Sequence, residues 1–213
     1  MAAIGRTRIK ICGVRDAETA FVAAECGTDA VGFVLASGSP RTIDPDDAWD
    51  ASCDLPPFVS KVGVVVDRSP EQLDSIRERF PFDYAQLHGS EPEGVVRDCG
   101  PDVIKAVRFD MGTIRAQFER WSKIEEVCAI LVDGPSAGSG EAIDWDGLTE
   151  ALDASAQPVI LAGGLTPENV GEAIRTVRPW GVDVSSGVES ERGVKDPAKI
   201  AAFCDAVRAA DAG

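Results

Sequence analysis

Histidine is all but missing from this chain of 213 residues, where His88 stands alone, and lysine is scarce, with six residues beside fifteen arginines. One histidine cannot build a histidine metal cluster, and no HExxH pair or other set of closely spaced metal ligands occurs, so metal-dependent hydrolysis is disfavoured. The six cysteines, Cys12, Cys26, Cys53, Cys99, Cys128 and Cys204, are scattered without a CxxC pair. Neither a zinc site nor a disulfide scaffold is expected from them, and most read as small buried hydrophobes. No uncharged apolar run approaches the roughly 18 residues that span a bilayer, and Met1–Lys10 has no apolar h-region. That argues against a membrane partner and for a cytoplasmic protein. Gly138-Ser-Gly140 is glycine-rich but lacks the spacing of a P-loop or of a GxGxxG turn, so no nucleotide motif stands behind it.

What the chain has in excess is negative charge. It carries 36 Asp and Glu against 21 Lys and Arg, a net charge of −15 and a pI near 4.4. Affinity for nucleic acid and for anionic membranes comes mainly from neutralising cations, so both are unexpected partners. Any phosphate must be held by local donors. Segments such as Asp44-Pro-Asp-Asp47 and Glu125-Glu126 also fit a salt-rich cytoplasm, where screening at about 1 M shortens the Debye length to about 3 Å. With 44% hydrophobic and 27% charged residues the composition is that of a globular protein. The length fits a single domain over residues 1–213.

Eight short, nearly continuous apolar runs recur along the chain: Arg8–Cys12, Ala30–Leu35, Lys61–Val66, Tyr84–Leu87, Val103–Arg108, Val127–Asp133, Pro158–Ala162 and Gly181–Ser185. Continuous rather than alternating apolar character marks parallel strands covered on both faces. Helical stretches lie between them, opened by Asp16, Asp44-Pro45, Ser69-Pro70 and Thr166-Pro167, with Gly27 closing the first. Eight βα units without a linker predict a single (β/α)8 TIM barrel. An open doubly wound sheet is the alternative, but it usually needs only about five or six strands.

Barrel chemistry sits at the C-terminal ends of the strands, which directs attention to the residues that follow each run. Gly163-Gly164 and Ser185-Ser-Gly187 place glycines and hydroxyls where backbone N–H groups can approach an anion, as in the phosphate sites of such barrels. Cys12 ends the first run, and its thiol suits a base or nucleophile if nearby cations lower its pKa; a buried spectator is the equal alternative. Asp133 ends the sixth run after three apolar residues. Burial there would favour its protonated form, as a general acid needs, and a loop-bracing aspartate is the alternative. Arg41 offers a fork that can clamp a carboxylate.

Together these segments resemble the phosphoribosylanthranilate isomerase family. The resemblance rests on Lys10-Ile-Cys-Gly-Val14, Val31-Gly-Phe33 with Ser39-Pro-Arg41, Ala85-Gln-Leu-His-Gly89 with Glu91, and Leu131-Val-Asp133 with Gly138-Ser-Gly140 and Asp144-Trp145. It continues through Leu161-Ala-Gly-Gly-Leu165 with Pro167-Glu-Asn-Val170, and Asp183-Val-Ser-Ser-Gly-Val-Glu189 with Lys195-Asp196. It implies a cofactor-free Amadori rearrangement of N-(5-phosphoribosyl)anthranilate, without a metal. Cys12 then matches the general base, Asp133 the general acid and Arg41 the contact to the anthranilate carboxylate. Gly163, Gly164, Ser185, Ser186 and Gly187 match the phosphate cradle, and His88 and Asp183 lie near the substrate. The expected partner is this small phosphorylated molecule, and the chain is expected to be a monomer or homodimer. Two departures stand out: the loop Gly134-Pro-Ser-Ala137 is short, and Arg15 follows Val14 where threonine is common, either raising the potential near Cys12 or facing water. Another phosphate-binding barrel enzyme, such as an indole-glycerol-phosphate synthase or an epimerase, and a non-catalytic barrel are the competing readings.

Overall fold

The computed structural model describes residues 5–134 and 143–213. Eight parallel strands close into a barrel in chain order: β1 (Arg8–Cys12), β2 (Ala30–Val34), β3 (Ser60–Val65), β4 (Tyr84–Leu87), β5 (Val103–Arg108), β6 (Val127–Asp133), β7 (Val159–Leu161) and β8 (Gly181–Val184). Closure is made by β8 pairing with β1, Arg8 to Gly181 through Ile11 to Val184. This is the (β/α)8 TIM barrel expected from the sequence, with strand ends within a residue of the apolar runs.

Helices α1 (Ala17–Glu25), α2 (Pro45–Ser52), α3 (Pro70–Arg79), α4 (Glu93–Asp98), α5 (Ile114–Trp121), α6 (Trp145–Ala151), α7 (Val170–Val177) and α8 (Pro197–Ala212) follow the strands in turn. Their starts have local causes. The Asp16 carboxylate accepts from Thr19 N, the Asp44 carboxylate from Asp46 N, and Ser69 with Gln72 makes a reciprocal capping box before Pro70. The seventh helix corrects the expectation that Thr166-Pro167 opens it. Asn169 turns back instead, its Oδ1 accepting from Thr166 N at 2.8 Å and its Nδ2 donating to Gly164 O at 3.0 Å. These bonds hold residues 167–169 as a turn, and α7 begins at Val170.

Strand alternation sorts the core into two layers. Ile9, Ile11, Phe33, Leu87, Ile130 and Phe203 are among the buried side chains between sheet and helices. Cys12, Val62, Val64, Ile104, Ala106, Leu131 and Ile160 are among those filling the barrel interior. Small and branched side chains suit that narrow interior, whereas each large side chain buried outside it contributes about 1.5–3 kcal/mol. Beyond β8 the chain forms an antiparallel pair that the sequence reading did not foresee, β9 (Glu189–Glu191) with β10 (Val194–Lys195), before α8. No helix among the described residues is long and apolar enough to cross a membrane.

Candidate active site

A cavity of about 840 Å³ opens at the C-terminal ends of the strands. It is lined by Cys12, Arg41, His88, Asp133, Gly163, Gly164, Asp183, Ser185 and Ser186, so the barrel gathers these sequence-predicted residues into one space. Gly187 lies just outside the lining. A Cβ there would stand 1.9 Å from the Leu165 carbonyl oxygen, so Gly187 packs the loop after β8 against the loop after β7. Arg15 is exposed and donates to Pro40 O at 3.3 Å, and it does not line the cavity. Gly138-Ser-Gly140 and most of the short loop after Asp133 lie outside the described residues.

Cys12 and Lys10 sit two apart on β1 and therefore share its inward face. Both reach over Gly32 of the neighbouring strand, where an added Cβ would lie 2.9 Å from Cys12 Sγ and 3.0 Å from Lys10 Nζ. Lys10 Nζ donates to Asp183 Oδ1 at 2.9 Å, between register partners on β1 and β8 and with both side chains buried. Burial pushes the Cys12 thiol above its ordinary range; Lys10 and Lys195 pull it down, and Asp183 pushes it up. The cations expected beside Cys12 are therefore present, yet desolvation outweighs them. Burial also opposes the Lys10 charge, but Asp183 and Cys12 hold its pKa above the ordinary value.

Asp133 ends β6 opposite Arg108 in the register. Its side chain is 41% exposed, so the expected burial of this carboxyl is not met. The cause is its place at the strand's end, past the last apolar layer, where it turns toward the open cavity. Its Oδ1 accepts from Gly134 N at 2.9 Å, and its Oδ2 lies 3.3 Å from His88 Nε2. Gln86 Nε2 lies 2.9 Å from His88 Nδ1, so the imidazole is held between Gln86 and Asp133. Behind Asp133, Gly163 at φ +79 approaches so closely that a Cβ would lie 2.1 Å from Gly134 N.

Arg41 reaches the cavity with its stem across Gly13, where a Cβ would meet Arg41 Cδ at 2.6 Å. The side edge of its guanidinium is occupied: Nε donates to Glu189 Oε1 at 2.7 Å and Nη2 to Glu189 Oε2 at 2.9 Å. A carboxylate ligand must therefore use the end edge, Nη1 with the second Nη2 hydrogen. Glu189 also accepts from Lys195 Nζ at 2.8 Å, and Lys195 donates to Ser185 O and Oγ at 2.9 and 3.2 Å.

Residues 9–206 match the family model described as N-(5'-phosphoribosyl)anthranilate (PRA) isomerase. A relative from Pseudomonas fluorescens strain Pf0-1, named N-(5'-phosphoribosyl)anthranilate isomerase, is 43% identical over 94% of this chain and 98% of its own. The chain belongs to the phosphoribosylanthranilate isomerase family. A solved phosphoribosylanthranilate isomerase in complex with reduced 1-(o-carboxyphenylamino)-1-deoxyribulose 5-phosphate superposes with a TM-score of 0.85 at 37% identity, over 95% of this chain and 99% of that one. A structure of monomers generated from the dimeric isomerase of Thermotoga maritima gives a TM-score of 0.85 at 35% identity, over 95% and 99% of the two chains.

Several polar side chains of this isomerase-family site escaped the sequence reading. Lys10 carried a usable signal, a charged residue inside an apolar strand and two positions from Cys12. Gln86, buried two positions before His88, carried the same signal on β4. Asn169 lines the cavity while holding the loop after β7, and only its place after Thr-Pro hinted at that. Glu189 had no local signal for its contact with Arg41, which lies 148 positions earlier, and Lys195 enters the site only through that carboxylate and Ser185.

Proposed function

We propose that this chain is the cytoplasmic, cofactor-independent isomerase that converts N-(5-phosphoribosyl)anthranilate to 1-(2-carboxyphenylamino)-1-deoxyribulose 5-phosphate in tryptophan biosynthesis, with Cys12 as base and Asp133 as acid. The observation that carries this reading is that Cys12 and Asp133 end strands three places apart in the closed ring and line one cavity with a cation at one end and a glycine-serine cradle at another. Asp133 gives its proton to the ring oxygen, the C1′–O bond breaks, and a protonated Schiff base forms. The Cys12 thiolate then removes the C2′ proton, leaving an enolamine; the enol oxygen loses its proton, C1′ gains one, and the ketone results. One proton has moved from Asp133 to Cys12, and exchange with water resets both groups. Arg41 holds the anthranilate carboxylate through its end edge, and Val34, Ala36, Val66, Ile143 and Trp145 offer apolar surface to the ring. Gly163, Gly164, Ser185 and Ser186 receive the phosphate, with Gly187 supporting them from behind. His88 and Asp183 orient Asp133 and Lys10. The test is fluorescence-monitored turnover of phosphoribosylanthranilate by the parent, Cys12→Ala and Asp133→Asn. Each variant should lose about 10²–10⁴-fold in kcat. A loss of less than about tenfold in either would overturn the acid–base assignment.

The N-terminal end of the barrel supports a homodimer as the working form. Phe58 is fully exposed and held at φ +74, a backbone region costly for a residue with a Cβ. It borders an apolar recess of about 320 Å³ whose walls include Tyr84, Ile104, Ile160 and Trp180. An exposed aromatic at such a backbone angle gains nothing within one chain, and insertion into the recess of a second copy would give it a reason.

A further inference from the structure

We propose that Glu189 is a positioning residue that fixes both anion-recognising ends of the cavity at once, Arg41 at the carboxylate end and Ser185 at the phosphate end. This rests on the function proposed above. Glu189 lies outside the cavity lining, and its side chain is 4% exposed. A buried carboxylate survives only when its lone pairs are filled. Here four donors fill them: Arg41 Nε and Nη2, Lys195 Nζ at 2.8 Å and Gly193 N at 3.1 Å. The result is a lever with two arms. One arm leaves only the end edge of Arg41 for a ligand and aims it, because the guanidinium is planar. The other passes through Lys195 to the carbonyl and hydroxyl of Ser185.

The β9–β10 pair carries this device. Gly193, at φ +86 in its turn, lies so close to the loop after β2 that a Cβ would meet Pro40 O at 2.7 Å. Lys199 Nζ closes the other side by donating to Glu189 O at 2.7 Å. Electrostatics give the same answer. Arg41 and Lys195 would repel each other in a largely buried space, and the carboxylate between them cancels one charge and leaves one positive charge for an anionic ligand. Loss of Glu189 would free Arg41 to swing and Lys195 to move off Ser185.

The test uses the full chain with Glu189→Gln and, as a second variant, Lys195→Met. Anthranilate and inorganic phosphate are titrated separately by calorimetry, beside kcat, KM and thermal melting. Glu189→Gln should weaken both ligands by about fivefold or more and raise KM by about tenfold, with kcat within about threefold of the parent. Lys195→Met should weaken phosphate and leave anthranilate near the parent value. A Glu189→Gln protein with a lower Tm but unchanged affinity for both ligands would reduce Glu189 to a brace and overturn the proposal. Unchanged phosphate affinity in Lys195→Met would overturn it as well, even if Glu189→Gln failed to fold. Failure of the parent to turn over phosphoribosylanthranilate would instead count against the proposed function, because the two titrations do not require turnover.

Discussion

The two glycines after β7 allow a contact to be separated from a backbone conformation. Gly163 and Gly164 have similar positive φ values, +79 and +69, but different surroundings. A Cβ on Gly163 would lie 2.1 Å from Gly134 N, 2.5 Å from Gly134 Cα and 3.1 Å from Asp133 Oδ1, whereas a Cβ on Gly164 meets nothing within 4 Å. Gly164→Ala should therefore cost only the left-handed backbone penalty, about 1–2 kcal/mol. Gly163→Ala bears the same penalty plus overpacking of about 1–3 kcal/mol against backbone that cannot rotate away, about 2–5 kcal/mol together. For a domain of this size each kcal/mol moves Tm by about 2–4 °C, so Gly164→Ala should lose about 2–8 °C and Gly163→Ala about 4–20 °C. Kinetics should part the two further. Alanine at 163 pushes on the Asp133–Gly134 peptide, and misplacing a reacting group by about 1 Å can cost about 10²-fold, so kcat should fall sharply in that variant. Alanine at 164 leaves Asp133 in place, and KM should carry most of its effect because the cradle changes shape. The assays are thermal melting and steady-state turnover on the same preparations. Equal Tm losses, or an unchanged kcat in Gly163→Ala, would refute the close approach of these two loops.

Burial pushes the Cys12 thiol upward and only the thiolate can take the C2′ proton, so kcat/KM should still rise with pH into the ordinary thiol range of about 8.5 and beyond; a plateau reached near neutral pH would contradict it. Glu189 is held down to about 2 from 4.5: burial pushes it up, but the bonds from Arg41 and Lys195 outweigh that. Its lowered folded pKa stabilises the protein above 4.5, and about 3 kcal/mol should be lost as pH falls from 4.5 to 2, a slope that Glu189→Gln should flatten in acid unfolding curves. With a net charge of −15, moderate salt should lower KM by screening repulsion of the substrate, and KCl should raise Tm; a KM that climbs steadily with salt would count against the field argument. Phe58→Glu should turn a homodimer into a monomer in light scattering, with kcat within about threefold of the parent; an unchanged mass would remove the proposed role of Phe58.

The barrel was legible because its information is local and repeated. Val127–Asp133 is apolar on both faces because it is covered on both, Ser69 and Asp16 cap helices within three residues of themselves, and Gly27 turns the chain at φ +83. The site was legible to the same depth. A residue at a strand's end is placed by the strand, so Cys12, His88, Asp133 and Ser185 fall at one mouth once the ring is closed. The start of α7 was not legible, because Thr166-Pro167 satisfies the rule for a helix start while Asn169 competes for the same backbone groups. Burial at Asp133 misled for a related reason: three apolar residues before it describe the strand, not the point at which the side chain leaves the core.

The electrostatic state of the site was the least legible part, and the reason is combinatorial. Lys10 meets Asp183 across 173 positions and Arg41 meets Glu189 across 148, so no window of sequence contains both partners. Composition gives only a large negative total. The cavity and the groups just behind it have the opposite balance: Lys10, Arg41, Arg108 and Lys195 against Asp133, Asp183 and Glu189 leave one positive charge, and two when Asp133 carries the proton it donates. Asp183 matches Lys10 and Glu189 is shared by Arg41 and Lys195, so one unmatched positive charge lies between Arg41 and Lys195, while Arg108 lines the cavity as the register partner of Asp133. An anion drawn to this mouth therefore meets a confined attraction inside a repelling shell. Such a shell repels extended polyanions while a confined positive patch attracts a small phosphate ester, so selectivity for ligand size is favoured by the charge arrangement before any shape complementarity is considered.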